Sequence, residues 1–474
     1  MKLKSLFIFL TLAIQTAWAA TITSDVVVQE GYEIKLTVSN LKDLTCYLGY
    51  NYGDKKYLQD TAHIATTGES FVFSGDKKLD GGVFFFYTPS NSYFEILVGD
   101  EQHFEIKTDT TDFIGKMEVK GSQENILFRD FQIYMRNSQK KAKELSDKLK
   151  SDEENKEDYS SQLDKLDKEV KEYRKQLIEN NPEKFVATLI KATIDVEVPE
   201  DKEALFKNDP LARYVFFKNH FFDNINFHDA RLLRSPILQN KINYYLEKLT
   251  PKHPDSIAVS AIHIIEKAKA NKEVFRYCVV SITNKYETSN IMGMDGVFVK
   301  IAEKYYLNGD AYWADEDLVN KIAKKINELK PTLIGSKAPN LNLIDTLGRQ
   351  VNVQSLKASY IALYFYDPDC GYCKKKTPVL HELYINELKD KNVEVVAVCT
   401  VTDQKKWKKF VDENKLSWTN LADPFLRNNF RAEYNIDTTP KLFILNKERK
   451  VIAKQLDVEQ ISEFITKYDE NEKM

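Results

Sequence analysis

Hydrophobic and polar positions alternate with a period of two through the first part of the chain. Val26, Val28, Ile34, Leu36 and Val38 alternate with polar neighbours around a turn at Glu30-Gly31. Further short runs lie at Ser70–Phe73, Gly82–Tyr87, Tyr93–Val98 and His103–Ile106. Turn residues separate them: Gly75-Asp76, Asp80-Gly81-Gly82, Pro89-Ser90-Asn91 and Gly99-Asp100. Short alternating strands at this spacing predict a small antiparallel β-sandwich over residues 20–118.

Near Gly121 the period becomes helical, and an all-α region is expected over 119–332. Ser122-Gln123-Glu124-Asn125 opens an amphipathic run through Phe128, Phe131 and Met135. From 138 to 180 the chain is dense in Lys and Glu, and Leu163, Leu166, Val170, Tyr173 and Leu177 recur at alternating three and four spacing. Such a seam serves either a homodimeric coiled coil through 138–180 or a helical hairpin packed on its own domain. The hairpin is favoured, because the seam is shorter than the roughly three heptads that specify a coiled coil, and because Ser151-Asp152-Glu153-Glu154 reads as a capping box between two helices. Asn181-Pro182 is expected to open another helix, since proline suits a first turn. Helical periods follow at Asp255–Lys269, Lys272–Tyr286, Asp295–Tyr306 and Asp315–Glu328. No fixed-period repeat is present.

Lys330-Pro331-Thr332 and Gly335-Ser336 read as a linker. Over 333–474 strands and helices alternate. Tyr360–Tyr366 and Val393–Val398 are near-continuous apolar runs, as expected of strands buried on both faces. Gln404–Asn414 reads as a charged helix, Lys441–Leu445 and Lys450–Ala453 as a hairpin, and Val458–Tyr468 as a last helix. The chain is therefore multidomain α+β, with a β-sandwich, a central all-α domain and a C-terminal α/β domain.

Composition narrows the function. At 474 residues the chain exceeds one ordinary core. It is 43% hydrophobic and 29% charged, and its 68 basic and 71 acidic residues leave a formal charge of -3. That balance lacks the basic excess of a nucleic-acid surface. Residues 1–19 have the pattern of a signal peptide: Lys2 and Lys4, an apolar stretch Leu6–Ile14, and Ala17-Trp18-Ala19 before the cleavage point. The stretch falls short of the roughly 20 residues a membrane span needs, and no cysteine follows it for acylation. A soluble periplasmic protein is expected, in a compartment that permits disulfides.

There are five cysteines: Cys46, Cys278, Cys370, Cys373 and Cys399. Cys278 and Cys399 read as buried in a helix and at a strand end, and nothing in the sequence pairs Cys46 with Cys278. Cys370-Gly371-Tyr372-Cys373 can be half a zinc site, a structural disulfide or a catalytic dithiol. Zinc needs further ligands nearby, and only His381 and the single Cys399 are at hand. His220, Asp223, His228 and Asp229 match no ligand spacing and read as polar caps. No metal is expected. The strand-to-helix setting decides for the dithiol. It puts Cys370 at a helix N-terminus, where N–H groups and the helix dipole favour a thiolate. Cys370 is then the attacking thiol and Cys373 the resolving one.

With these features the segment 335–470 resembles the thioredoxin superfamily. Pro378, five residues after Cys373, matches the helix-kinking proline of that fold. Thr438-Thr439-Pro440 matches its cis-proline loop. The longer segment between the two prolines, with Gly335-Ser336-Lys337-Ala338-Pro339-Asn340, resembles exported reductases of the TlpA/ResA type. The resemblance implies a thioredoxin-like fold and a thiol–disulfide oxidoreductase. It implies Cys370, Cys373 and Pro440 as catalytic, and Gly371, Tyr372 and Thr439 as substrate contacts. No cofactor is implied beyond the dithiol, which cycles as a Cys370–Cys373 disulfide. The partners implied are protein thiols or disulfides and a membrane-bound thiol donor. The Gly-Tyr dipeptide resembles that of a periplasmic disulfide isomerase.

Two acids of the family pattern are missing: Tyr364 stands where thioredoxin has a buried Asp, and Lys376 where cytochrome-maturation reductases carry a Glu. Asp367 and Asp369 read as helix caps. Upstream, Asn219–Asp229 followed by Arg231–Pro236 resembles a helical domain of a bacterial family that joins a sandwich to a thioredoxin-like domain. Two other function classes are open. One is a thiol peroxidase, disfavoured because Tyr366-Asp367-Pro368-Asp369 does not fit a peroxidatic frame. The other is a binding protein whose front half recruits a partner.

Overall fold

A computed structural model describes residues 31–199 and 206–473. The signal-peptide pattern, Val26 and Val28 lie outside the described residues. Among the described residues the front domain has eight strands: β1 (Tyr32–Ser39), β2 (Thr45–Tyr52), β3 (Lys55–His63), β4 (Phe71–Gly75), β5 (Gly82–Tyr87), β6 (Tyr93–Val98), β7 (His103–Asp109) and β8 (Glu118–Lys120). They form two four-stranded sheets, β4-β1-β7-β8 and β3-β2-β5-β6. The pairing is antiparallel except between β1 and β7, which run parallel with Ile34 opposite Phe104. Inward residues such as Ile34, Leu36, Phe73, Phe86 and Ile96 fill the space between the sheets, because the pleat sends alternate side chains to one face.

Helices Gln123–Ser151 and Lys156–Asn180 form the hairpin. Ser122 caps the first by accepting from the Asn125 N–H. The expected capping box at Ser151 is absent. Ser151 is the last residue of the first helix, and its hydroxyl donates back to the Asp147 carbonyl. Asp152 makes the corner instead, accepting from the Asn155 side chain at 2.9 Å and the Tyr159 hydroxyl at 3.1 Å. The seam faces the first helix. Leu166 and Leu177 are buried, and Tyr173 stacks on Tyr134 with centroids 3.9 Å apart. Pro182 is also not in a helix. It sits in a turn closed by Lys184 N–H to Asn181 C=O, 3.0 Å, and the next helix begins at Phe185.

The remaining helices of the region, among them Pro254–Ala268, Lys272–Glu287, Asp295–Ala302 and Glu316–Leu329, share one apolar core. Cys278 is buried in it and Cys46 in the sandwich core, each as a free thiol.

The C-terminal domain is a seven-stranded sheet in the order β10-β9-β13-β12-β11-β14-β15. Its strands are β9 (Asn342–Asp345), β10 (Gln350–Asn352), β11 (Tyr360–Tyr366), β12 (Val393–Cys399), β13 (Thr419–Ala422), β14 (Lys441–Leu445) and β15 (Val451–Lys454). Every residue of β11 is buried. Tyr360, Ala362, Tyr364 and Tyr366 face one core, and Ile361, Leu363 and Phe365 the other. This is the period-two consequence of a strand covered on both sides.

The segment read as a linker is tied down. The Gly335 N–H donates to the Val451 carbonyl at 2.8 Å, and the Val451 N–H to the Ser336 carbonyl at 2.9 Å. Lys454, whose side chain is 7% exposed, ion-pairs with Asp295 of the helical region and donates to the Thr332 carbonyl at 2.9 Å. A buried lysine needs such partners.

Candidate active site: a dithiol at a helix N-terminus

The chain leaves β11 at Tyr366, turns through Asp367–Asp369 and enters the helix Gly371–Leu383. Cys370 is the N-cap of that helix. Its Sγ accepts the Cys373 N–H at 3.3 Å. The expected caps Asp367 and Asp369 do not play that part. The Asp367 carboxylate accepts from the Asp369 N–H at 2.7 Å, and Asp369 ion-pairs with Lys406. A sulfur in the capping position takes up an N–H that the helix leaves free.

The second partner of Cys370 comes from the far end of the domain. Its thiol donates to the Thr439 carbonyl at 3.3 Å. Thr439–Pro440 is a cis peptide bond immediately before β14. β14 lies beside β11, so the sheet order itself carries the loop to the cysteine. The sequence-predicted residues Cys370, Gly371, Tyr372, Cys373, Thr439 and Pro440 are thereby brought together.

The two thiols are unlike. Cys370 is partly exposed and Cys373 is buried. Burial raises the Cys370 thiol, but the hydrogen bonds from the Cys373 thiol and N–H outweigh it and hold Cys370 below the ordinary cysteine range. Burial, then the hydrogen bond with Cys370, pushes Cys373 up to about 12. One thiol is partly exposed and held towards the thiolate, the other protonated and shielded. A Cβ at Gly371 would meet nothing within 4 Å, so the approach to the sulfur is open there. Tyr372 is 53% exposed beside it.

The positions of the missing acids are occupied by uncharged or outward-facing chemistry. Tyr364 is buried, and its hydroxyl is paired with Thr377 Oγ1 at 3.1 Å. Lys376 turns away from the thiols to Asp457 at 2.6 Å and Glu459 at 2.9 Å. It also lies 5.6 Å over the Tyr372 ring. Those partners, and Thr377, escaped the sequence reading. They are distant in sequence, and no local signal marks them.

His381 bonds Ser417 at 3.0 Å, His220 pairs with Asp223, and Asp229 caps the turn at Arg231. Among the described residues no group of three or more His, Cys, Asp or Glu side chains comes together to hold a metal ion.

Residues 334–454 match the AhpC/TSA family. The ResA thiol–disulfide oxidoreductase of Bacillus cereus (strain ZK / E33L) is 29% identical over 121 residues, 26% of this chain and 68% of the relative. That of Bacillus thuringiensis (strain Al Hakam) is 29% identical over 135 residues, 28% of this chain and 76% of the relative. The C-terminal domain belongs to the thioredoxin superfamily, among its ResA-like thiol–disulfide oxidoreductases. A solved domain of a possible thiol-disulfide isomerase from Cytophaga hutchinsonii is 33% identical. It covers 30% of this chain and 97% of its own length, at a TM-score of 0.29. Ahead of the ResA-like domain, residues 32–128 and 139–325 match two families described only as domains of unknown function, DUF4369 and DUF5106. No helix among the described residues is long and apolar enough to cross a membrane.

Proposed function

We propose that this protein exchanges disulfides with other proteins in the periplasm through Cys370 and Cys373. The observation that carries this reading is the unequal dithiol: Cys370 is a partly exposed N-cap sulfur below its ordinary pKa, and Cys373 is buried and protonated one turn behind it. The Cys370 thiolate attacks one sulfur of a substrate disulfide, and the other leaves as a thiolate that takes up a proton. Cys373 then loses its proton and attacks Cys370 Sγ. That step releases the second substrate thiol and leaves a Cys370–Cys373 disulfide. Two electrons have passed to the substrate, and a membrane-bound thiol donor returns them by the same exchange. Run backwards, the steps oxidise a dithiol. Thr439 and Pro440 offer backbone beside the attacking sulfur, and Tyr372 an apolar face. Export rests on the signal-peptide pattern at residues 1–19.

The test is insulin reduction by the full chain with dithiothreitol as donor. Cys370→Ala is expected to remove activity. Activity that survives this substitution contradicts the reading.

A further inference from the structure

A cleft of about 590 Å³ opens at Tyr372 and Pro440, and it has two walls from two domains. The inner wall is Tyr372 with the loop residues Thr438 and Pro440. The outer wall is Ile291, Lys325 and Leu329 of the central helical domain. Its size falls within the roughly 300–1,000 Å³ usual for ligand sites. Large apolar side chains stand uncovered on both sides. Tyr372 is 53% exposed and Ile291 66% exposed. The walls are held in place relative to each other. Lys454 and Asp295, both lining the cleft, form the buried ion pair between the domains. Next to them the Lys454 N–H points at Met292 Sδ, 3.4 Å away, which packs on the core behind Cys373.

We propose that the helical domain supplies half of the substrate site, and that its occupant is an extended polypeptide segment with an apolar residue next to the cysteine under attack. This rests on the dithiol reading above. The cleft reaches the loop that the sulfur bonds. Thr439, whose carbonyl accepts from Cys370, lies between two residues of the inner wall. A small disulfide needs only the patch around Cys370 and Tyr372. A chain running on past Pro440 must pass between Tyr372 and Ile291, where its side chain leaves water on both faces. The helical domain thereby selects proteins over small disulfides.

The experiment compares kcat/KM of the full-length protein on insulin and on oxidised glutathione. Ile291→Asp replaces an apolar side chain of the outer wall with a carboxylate at a solvent-exposed position, where folding tolerates it. The expected result is a loss about tenfold larger on insulin than on oxidised glutathione, through KM, equivalent to about 1.4 kcal/mol. Val259→Asp, on an exposed face of the same domain outside the cleft, is expected to leave both rates unchanged. Equal losses on both substrates, or wild-type turnover of insulin by Ile291→Asp, overturn the proposal. Cys370→Ala keeps the two readings apart. If it is active the dithiol reading fails, whereas if it is inactive while Ile291→Asp behaves as wild type only the second wall fails. A Cys373→Ala protein gives an independent measurement once Cys370 has attacked an insulin disulfide and is held as the mixed disulfide, the other insulin sulfur leaving as a thiolate that takes up a proton. Amide exchange over 287–291 should slow, and no slowing contradicts the proposal.

Discussion

The Cys370 thiol reaches the Thr439 carbonyl oxygen at 3.3 Å across 69 positions of sequence. A cysteine at the start of a helix and a backbone group at the start of β14 are thereby joined into one site. The contact exists because β14 is paired with β11, the strand that delivers the cysteine. Once the thiol has ionised it no longer donates, and the carbonyl oxygen is open to another donor.

The resolving role of Cys373 predicts a trap. In Cys373→Ala the mixed disulfide between Cys370 and substrate has no internal thiol to break it. A covalent adduct should accumulate on non-reducing gels and vanish with dithiothreitol. In Cys370→Ala no adduct should form, because the remaining thiol is buried and protonated.

The pH dependence follows from the direction of the shifts. Free cysteine titrates near about 8.5. Cys370 lies below its ordinary value, so its thiolate is populated at lower pH than that of a free thiol. Its alkylation by iodoacetamide should rise with pH and level off at lower pH than a free thiol's. Cys373, at about 12, should stay unmodified through neutrality. Mass spectrometry of the alkylated peptides reads both, and a Cys370 midpoint at or above that of free cysteine contradicts the assignment.

Tyr364 and Thr377 satisfy each other's hydroxyls behind the dithiol. Thr377→Val keeps the shape but leaves the buried Tyr364 hydroxyl without this partner. The expected cost is about 1–3 kcal/mol, seen as a lower urea midpoint of the C-terminal domain. The Cys370 alkylation profile should not move, since Thr377 does not touch that sulfur.

Lys454 is the buried tie between the helical and thioredoxin-like domains. Burial pulls its amine below the ordinary lysine range, against the attraction of Asp295. Lys454→Met removes the cation and strands Asp295, at an expected cost of about 3–5 kcal/mol. Lys454→Met with Asp295→Leu should recover most of it, because replacing both partners of a buried pair is often close to neutral. Limited proteolysis at 330–336 measures the loosening, and equal susceptibility of the single and double variants would contradict this account.

The hairpin seam offers a last check. Tyr173 stacks on Tyr134 within the chain, so Tyr173→Ala should destabilise the hairpin by about 1–3 kcal/mol. It should leave the sedimentation coefficient unchanged. A shift to a smaller species would instead reveal a dimer through 138–180.

Much of this was legible in the sequence, and the reason is local. Tyr360–Tyr366 announces a doubly covered strand because seven consecutive residues need burial. Cys370 announces a helix N-terminus because turn residues precede it and a helical run follows. The helix at Gln123 was readable from Ser122 because a cap bonds within its own first turn. Where local signals compete, the reading slipped. Ser151 and Pro182 both suit a helix start, yet one ends a helix and the other makes a turn. Asp152 and the Asn181–Lys184 bond set the corners there.

The sequence by itself determined the paired cysteines and their unequal places at a helix start, because spacing and strand-to-helix context are properties of contiguous residues, while the loop that faces them was implied only by the family resemblance. The tertiary structure alone decided which groups surround it. Lys376 turns to Asp457 and Glu459, Tyr364 to Thr377, and Ile291 comes to line the same cleft as Tyr372. Those neighbours are set by sheet order and by the packing of one domain on another, and no pattern along the chain encodes a distance between residues that meet only after folding.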